Sequence, residues 1–89
     1  MTTNQEITNI LIQAAENITD DELTSEDKNR LIKIFNQGSG ASYERALRSL
    51  SQFADLDQNQ IINKAAESEE LDSALMDLQF QMENWRPGS

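Results

Sequence analysis

Apolar residues recur at three- and four-residue intervals through almost the whole chain, and this period restricts the fold more than any other feature of the sequence. Ile7, Ile10, Leu11, Ala14, Ala15 and Ile18 stand at i, i+3, i+4, i+7, i+8 and i+11, which is one stripe of an α-helix over residues 4–18 and not the alternation of a strand. After Asp20-Asp21-Glu22, a hydroxyl at Thr24 or Ser25 followed by Glu26 and Asp27 predicts a second helix start. The hydroxyl satisfies a free amide there, and the acids oppose the positive end of the helix dipole. That helix carries Leu31, Ile32, Ile34 and Phe35 inward and is expected to stop at Gly38, where glycine accepts a left-handed conformation. A third helix repeats the pattern with Tyr43, Ala46, Leu47, Leu50, Phe53 and Ala54, capped by Ser39 or Ser42.

Past the break at Asp55-Leu56-Asp57, Ile61, Ile62, Ala65 and Ala66 make a fourth helical face. At 100° per residue Leu71 falls about 180° from Ile62, so one straight helix could not bury both. A break is expected between Glu67 and Glu70, with Ser68 as the new cap; the last helix then runs to about Trp85, before Pro87. The expected architecture is all-α, a compact bundle of four or five short helices, the last one longest and apolar on two faces. Residues 1–86 read as one helical domain and 87–89 as a flexible tail.

At 89 residues the chain has room for a thin core only, since folding at this size hides roughly 60% of the unfolded surface. There is no cysteine and no histidine, which removes disulfides, thiol nucleophiles, imidazole bases and the usual zinc ligands. The acidic runs lie in polar stretches with no sign of the cleft that paired-carboxylate hydrolysis needs. These features predict a non-enzyme with no cofactor and no metal. Met1-Thr2-Thr3-Asn4-Gln5-Glu6 lacks the basic start and apolar run of a signal peptide, and no apolar stretch approaches the roughly 18 residues that span a bilayer. The expected location is cytoplasmic.

Charge is distributed in blocks. Residues 1–27 carry −7, residues 28–48 carry +4 through Lys28, Arg30, Lys33, Arg45 and Arg48 against Glu44, and residues 49–89 carry −6, for a net −9. A field of that sign opposes nucleic acid and anionic membranes and favours a basic partner. The acids Asp20, Asp21, Glu22, Glu26 and Asp27 are the candidate acidic contacts. The function this predicts is a small acidic interaction protein that binds and modulates, by inhibition, a larger protein with a basic or apolar docking surface. An alternative is a nucleic-acid mimic of the phage type, whose carboxylates imitate phosphates and occupy the groove of a nuclease or another DNA- or RNA-binding protein.

The last helix is the most informative segment. Leu71, Leu75, Leu78, Met82 and Trp85 are spaced 4, 3, 4 and 3, the seam of a helix packed lengthwise on another, while Met76 and Phe80 form a second apolar pair away from it. Either both faces are core in a bundle where this helix is central, or one is completed by a partner with Trp85 and Phe80 as aromatic anchors. The spacing does not say which. Self-association through this helix is limited to a weak homodimer, because Glu69, Glu70, Asp72, Asp77 and Glu83 would meet like charges.

Three shorter patterns carry candidate chemistry. From Ser51 to Ile61 the chain resembles the helix-turn-helix family of DNA readers, with Ser51 at the small position, Leu56 after the turn, Ile61 at the buried position and Gln58, Asn59 and Gln60 as base-reading amides. The resemblance implies a DNA-binding regulator; Asp55 stands where a turn glycine is usual and Lys64 where a second apolar residue is. Asp55-x-Asp57-x-Asn59 also resembles the first half of an EF-hand loop, but Gln60 and Ala66 replace its glycine and its twelfth-position acid. Asp57 as a helix cap accounts for the same letters. Gly38-Ser39-Gly40, with Lys33, Arg45 and Arg48 nearby, is a candidate anion site at a helix start.

Overall fold

Thr3 begins the first helix by a reciprocal cap: its hydroxyl accepts the Glu6 N–H at 3.2 Å, and the Glu6 carboxylate accepts the Thr3 N–H at 3.4 Å. Helix α1 then runs Asn4–Thr19 and buries Ile7, Leu11, Ala14, Ala15 and Ile18. The computed structural model describes residues 2–86, and Pro87 to Ser89, the expected tail, lie outside them. Within them the protein is all-helical: α2 spans Ser25–Gln37, α3 Tyr43–Ala54, α4 Gln58–Glu67 and α5 Glu69–Met82. Helix α1 lies along α5, and α2, α3 and α4 pack around this pair over one continuous apolar core. The radius of gyration is 11.8 Å, close to the roughly 12 Å of a compact chain of this length.

Local chemistry sets each boundary. Thr24 caps α2 by accepting the Asp27 N–H at 3.1 Å, whereas Ser42 stands at the cap position of α3 without a side-chain cap hydrogen bond. Ser68 ends α4 and starts α5 in an extended conformation, its hydroxyl accepting the Leu71 N–H at 3.3 Å. Helices α4 and α5 are therefore separate, but not for the expected reason: the buried pair is Ile61 and Leu71, about 80° apart at 100° per residue, while Ile62, the residue opposed to Leu71, is half exposed.

Three expectations need correction. The longest helix is α1 with 16 residues; α5 has 14. Helix α5 stops at Met82 rather than near Trp85 because the chain folds into a turn, with the Asn84 and Trp85 N–H groups donating to the carbonyls of Gln81 and Met82. Thr2 then pairs with this turn, its N–H donating to the Asn84 carbonyl at 3.3 Å and its hydroxyl to Gln81 Oε1 at 2.6 Å. Trp85 is thus carried into the core by the turn and not by an extension of α5.

Gly38 is also not left-handed, with φ −74° and ψ 172°. The left-handed positions belong to Asp20, Asp55 and Gly40, at φ 56°, 57° and 87°. What Gly38 supplies is space, for a Cβ there would stand 3.2 Å from the Phe35 carbonyl and 3.3 Å from Nε of Arg45. Arg45 fills the role assigned to the glycine. Only 7% exposed, it donates from Nε and Nη2 to the Phe35 carbonyl at 3.1 and 2.8 Å and from Nη1 to the Gly40 carbonyl at 2.7 Å, closing the end of α2 from the side. Burial, and secondly the charge of Arg48, lower its pKa, yet a guanidinium remains charged at neutral pH.

Candidate functional site

Two surfaces stand apart from an otherwise ordinary helical exterior, one acidic and one apolar, and both involve α5. The acidic one begins where α1 ends. Asp20 closes that helix in the left-handed region, and the Asp20 and Asp21 N–H groups both donate to the Glu16 carbonyl. The Glu16 carboxylate accepts the Leu23 N–H at 3.0 Å, and Asp21 Oδ1 accepts the Glu22 N–H at 3.0 Å, while the Leu23 side chain is buried. The turn is thereby held on the core, with Asp20, Asp21 and Glu22 exposed. Across from it lies the first turn of α5.

Between them is an open cleft of about 780 Å³ lined by Glu16, Asp20, Asp21, Glu22, Glu69 and Glu70, together with Gln13, Asn17, Ser73 and Ala74. It has six carboxylates and no basic side chain. The acids of α5 sit at a helix start, where the dipole favours them; Asp20, Asp21 and Glu22 sit at a helix end, where it opposes them, and no basic residue occupies the last turn of α1. The acidic residues picked out in the sequence divide accordingly. Asp20, Asp21 and Glu22 line the cleft, and the fold adds Glu16, Glu69 and Glu70. Glu26 and Asp27 instead lie in the first turn of α2, outside the lining, where they serve as ordinary helix-start acids.

The apolar candidates divide as well. Leu71, Leu75, Leu78 and Met82 of α5 are core, as is Trp85 after it. Trp85 packs its ring 5.4 Å from that of Phe35 and donates from Nε1 to Asn4 Oδ1 at 3.2 Å. These five residues are spent on folding and cannot form a docking face. Met76 and Phe80 remain 62% exposed, and Ile62 of α4, expected to be buried, is 50% exposed. Its neighbour Ile61 takes the inward position, and Ile62, 100° further round the helix, lies on the side that the core leaves uncovered. Ile62, Met76, Tyr43, Asp72 and Gln79 line a cleft of about 280 Å³ between α4 and α5. The pKa of Tyr43 is raised, by burial first and by the charge of Asp72 second.

The candidate anion site is committed to other bonds. A concavity of about 210 Å³ does include Gly38, Ser39, Arg45 and Arg48, but Arg45 gives its donors to the Phe35 and Gly40 carbonyls and Arg48 donates to the Ser39 carbonyl at 3.1 Å. Lys33 is not part of the lining. At the helical corner resembling a DNA reader, Ser51 donates to the Leu56 carbonyl, Asp55 adopts the left-handed turn conformation, and the Gln60 side chain accepts the Asp57 N–H at 2.8 Å. One of the three candidate base-reading amides is therefore engaged in capping. Asp55 and Asp57 stand at the same end of α4, where they would repel phosphate.

Among the described residues no helix is long and apolar enough to cross a membrane, and no cluster of three or more acidic side chains is arranged to hold a metal ion. No protein-family model matches the chain, and comparison with curated proteins and with solved structures returns no match.

Proposed function

We propose that this is a non-enzymatic acidic interaction protein that binds a basic surface of a larger protein through the α1–α5 cleft and thereby modulates it. One observation carries the reading: Asp20, Asp21 and Glu22 crowd the negative end of a helix beside Glu16, Glu69 and Glu70 on one open surface. Such a cluster costs stability through like-charge repulsion and an unfavourable dipole, so folding does not account for it. Local rules are broken in this way where a function is served. A lysine- or arginine-rich surface would relieve the repulsion on binding and would be drawn in rapidly at low salt. The nucleic-acid mimic is the special case in which that basic surface is itself a nucleic-acid groove.

The test is affinity capture from native lysate with the intact protein, set beside two variants. In the first, Asp20→Asn, Asp21→Asn, Glu22→Gln, Glu69→Gln and Glu70→Gln remove five of the six cleft charges and keep Glu16, whose carboxylate holds Leu23; in the second, Glu26→Gln and Asp27→Asn neutralise the start of α2. The expected result is a basic protein held by the unaltered chain and the second variant, lost by the first, and released as salt rises. Equal capture by all three proteins, or no specific capture at low salt, would overturn the reading.

A further inference from the structure

A stripe of α5 that the core does not use consists of Glu69, Asp72, Met76, Phe80 and the adjoining Glu83, spaced 3, 4, 4 and 3. This is the same kind of spacing as the buried seam, rotated to the outside, and every member of it is exposed. Its centre is apolar and both its ends are acidic. Ile62 widens the apolar centre toward α4, because it and Met76 line one cleft. Single exposed apolar side chains are common on protein surfaces. Here, however, the three large apolar side chains left exposed among the described residues are linked through Met76, with Phe80 one turn along α5 and Ile62 lining the same cleft, and such gathering marks interaction surfaces.

We propose that this stripe receives one amphipathic α-helix of a partner protein, with an apolar face on Ile62, Met76 and Phe80 and lysine or arginine beside Glu69 and Asp72. The inference deepens the partner reading above and rests on the protein acting by binding. Charge decides the occupant. A second copy in parallel register would oppose each acid of the stripe to itself. An antiparallel copy would set Glu69 against Glu83, with only Arg86 close by to offset it, and the Arg86 guanidinium donates to the carbonyls of Glu83 and Trp85. Both pairings also bring together two chains of net charge −9. A basic amphipathic helix satisfies the apolar centre and the acidic ends at once. From Glu69 to Glu83 the stripe is about 21 Å long at 1.5 Å per residue, the length of about four helical turns. Because Arg86 lies at the far end, the positive charge of the partner helix is set toward the start of α5.

The probe is a labelled synthetic peptide of about 14 residues with leucines at helical spacing on one face and lysines beside them, titrated into the intact protein by fluorescence anisotropy. A peptide of identical composition and scrambled order is the control for charge alone. The ordered peptide is expected to bind at least ten times more tightly than the scrambled one. Met76→Ser with Phe80→Ser, at exposed positions that leave the fold intact, should remove that advantage. Asp20→Asn with Asp21→Asn and Glu22→Gln should preserve it, which separates failure of this stripe from failure of the α1–α5 cleft. Equal binding of the two peptides, or indifference to the Met76 and Phe80 substitutions, would overturn the proposal. So would a dimer in sedimentation equilibrium that those substitutions dissociate, since a second copy would then be the occupant.

Discussion

The Arg45 guanidinium carbon lies 4.6 Å from the centroid of the Phe35 ring while the same side chain holds the Phe35 backbone carbonyl through two hydrogen bonds. Arg45 therefore grips one residue by both its ring and its backbone, and 5.0 Å away it also faces the ring of Trp85. A fork of planar donors makes this possible, and an ammonium cannot reproduce it. Arg45→Lys should cost about 2 kcal/mol, read as a lowered midpoint in urea unfolding with the slope unchanged.

Trp85 joins the two ends of the described chain through Asn4 and packs on Phe35. Trp85→Phe keeps an aromatic ring there but deserts the Asn4 oxygen and should cost about 1–2 kcal/mol. Trp85→Ala also opens a cavity and should cost about 3–5 kcal/mol. Both are measurable by circular dichroism. In the unaltered protein the fluorescence of this sole tryptophan should report global unfolding, because the residue is 1% exposed.

Asp55 combines a left-handed conformation with an acidic side chain at the negative end of α3. Asp55→Gly removes the steric and the dipole penalties together and should stabilise the protein by about 0.5–1 kcal/mol, a rise of a few degrees in Tm. A fall in Tm would mean that the carboxylate has a role these two effects omit.

Tyr43, the only tyrosine, has its pKa raised by burial and by Asp72, so its phenolate absorbance should appear at higher pH than the value of about 10 for an exposed tyrosine. Asp72→Asn should bring it part of the way back. Between the unfolded and folded pKa values the unfolded chain holds fewer protons, so stability from this group is intact below pH of about 10 and declines as pH rises toward the folded value. Alkaline unfolding curves with and without Tyr43→Phe would detect that decline.

If the α1–α5 cleft is under electrostatic strain, Asp20→Asn with Asp21→Asn and Glu22→Gln should raise Tm at low ionic strength. The gain should vanish near 1 M salt, where the screening length is about 3 Å. A gain independent of salt would point to a local conformational cause.

Much of this architecture is determined by short-range rules and is legible without the fold. Ile7 to Ile18 must lie on one helical stripe, and Ser68 is a cap before acids that ends α4 and begins α5. The opposed phases of Ile62 and Leu71 do not account for that break, because they demand it only if both are buried, and Ile62 is half exposed. The stripe and the cap each depend on residues within a few turns of one another, and the helical period and cap chemistry decide them. What the sequence does not determine depends on residues far apart in the chain. That Arg45 and not a left-handed Gly38 ends α2, that Trp85 is buried by a turn pinned to Thr2, and that Glu16, Asp20, Asp21 and Glu22 meet Glu69 and Glu70 in one cleft are all consequences of how α1, α3 and α5 pack. The same holds for the division of the apolar residues of α5. Its period establishes that Leu71, Leu75, Leu78 and Met82 share one face and that Met76 and Phe80 share another. Only the placement of α1 on the first face buries it and leaves the second to solvent, because a helix records which residues lie together and the neighbouring helix decides which side is covered.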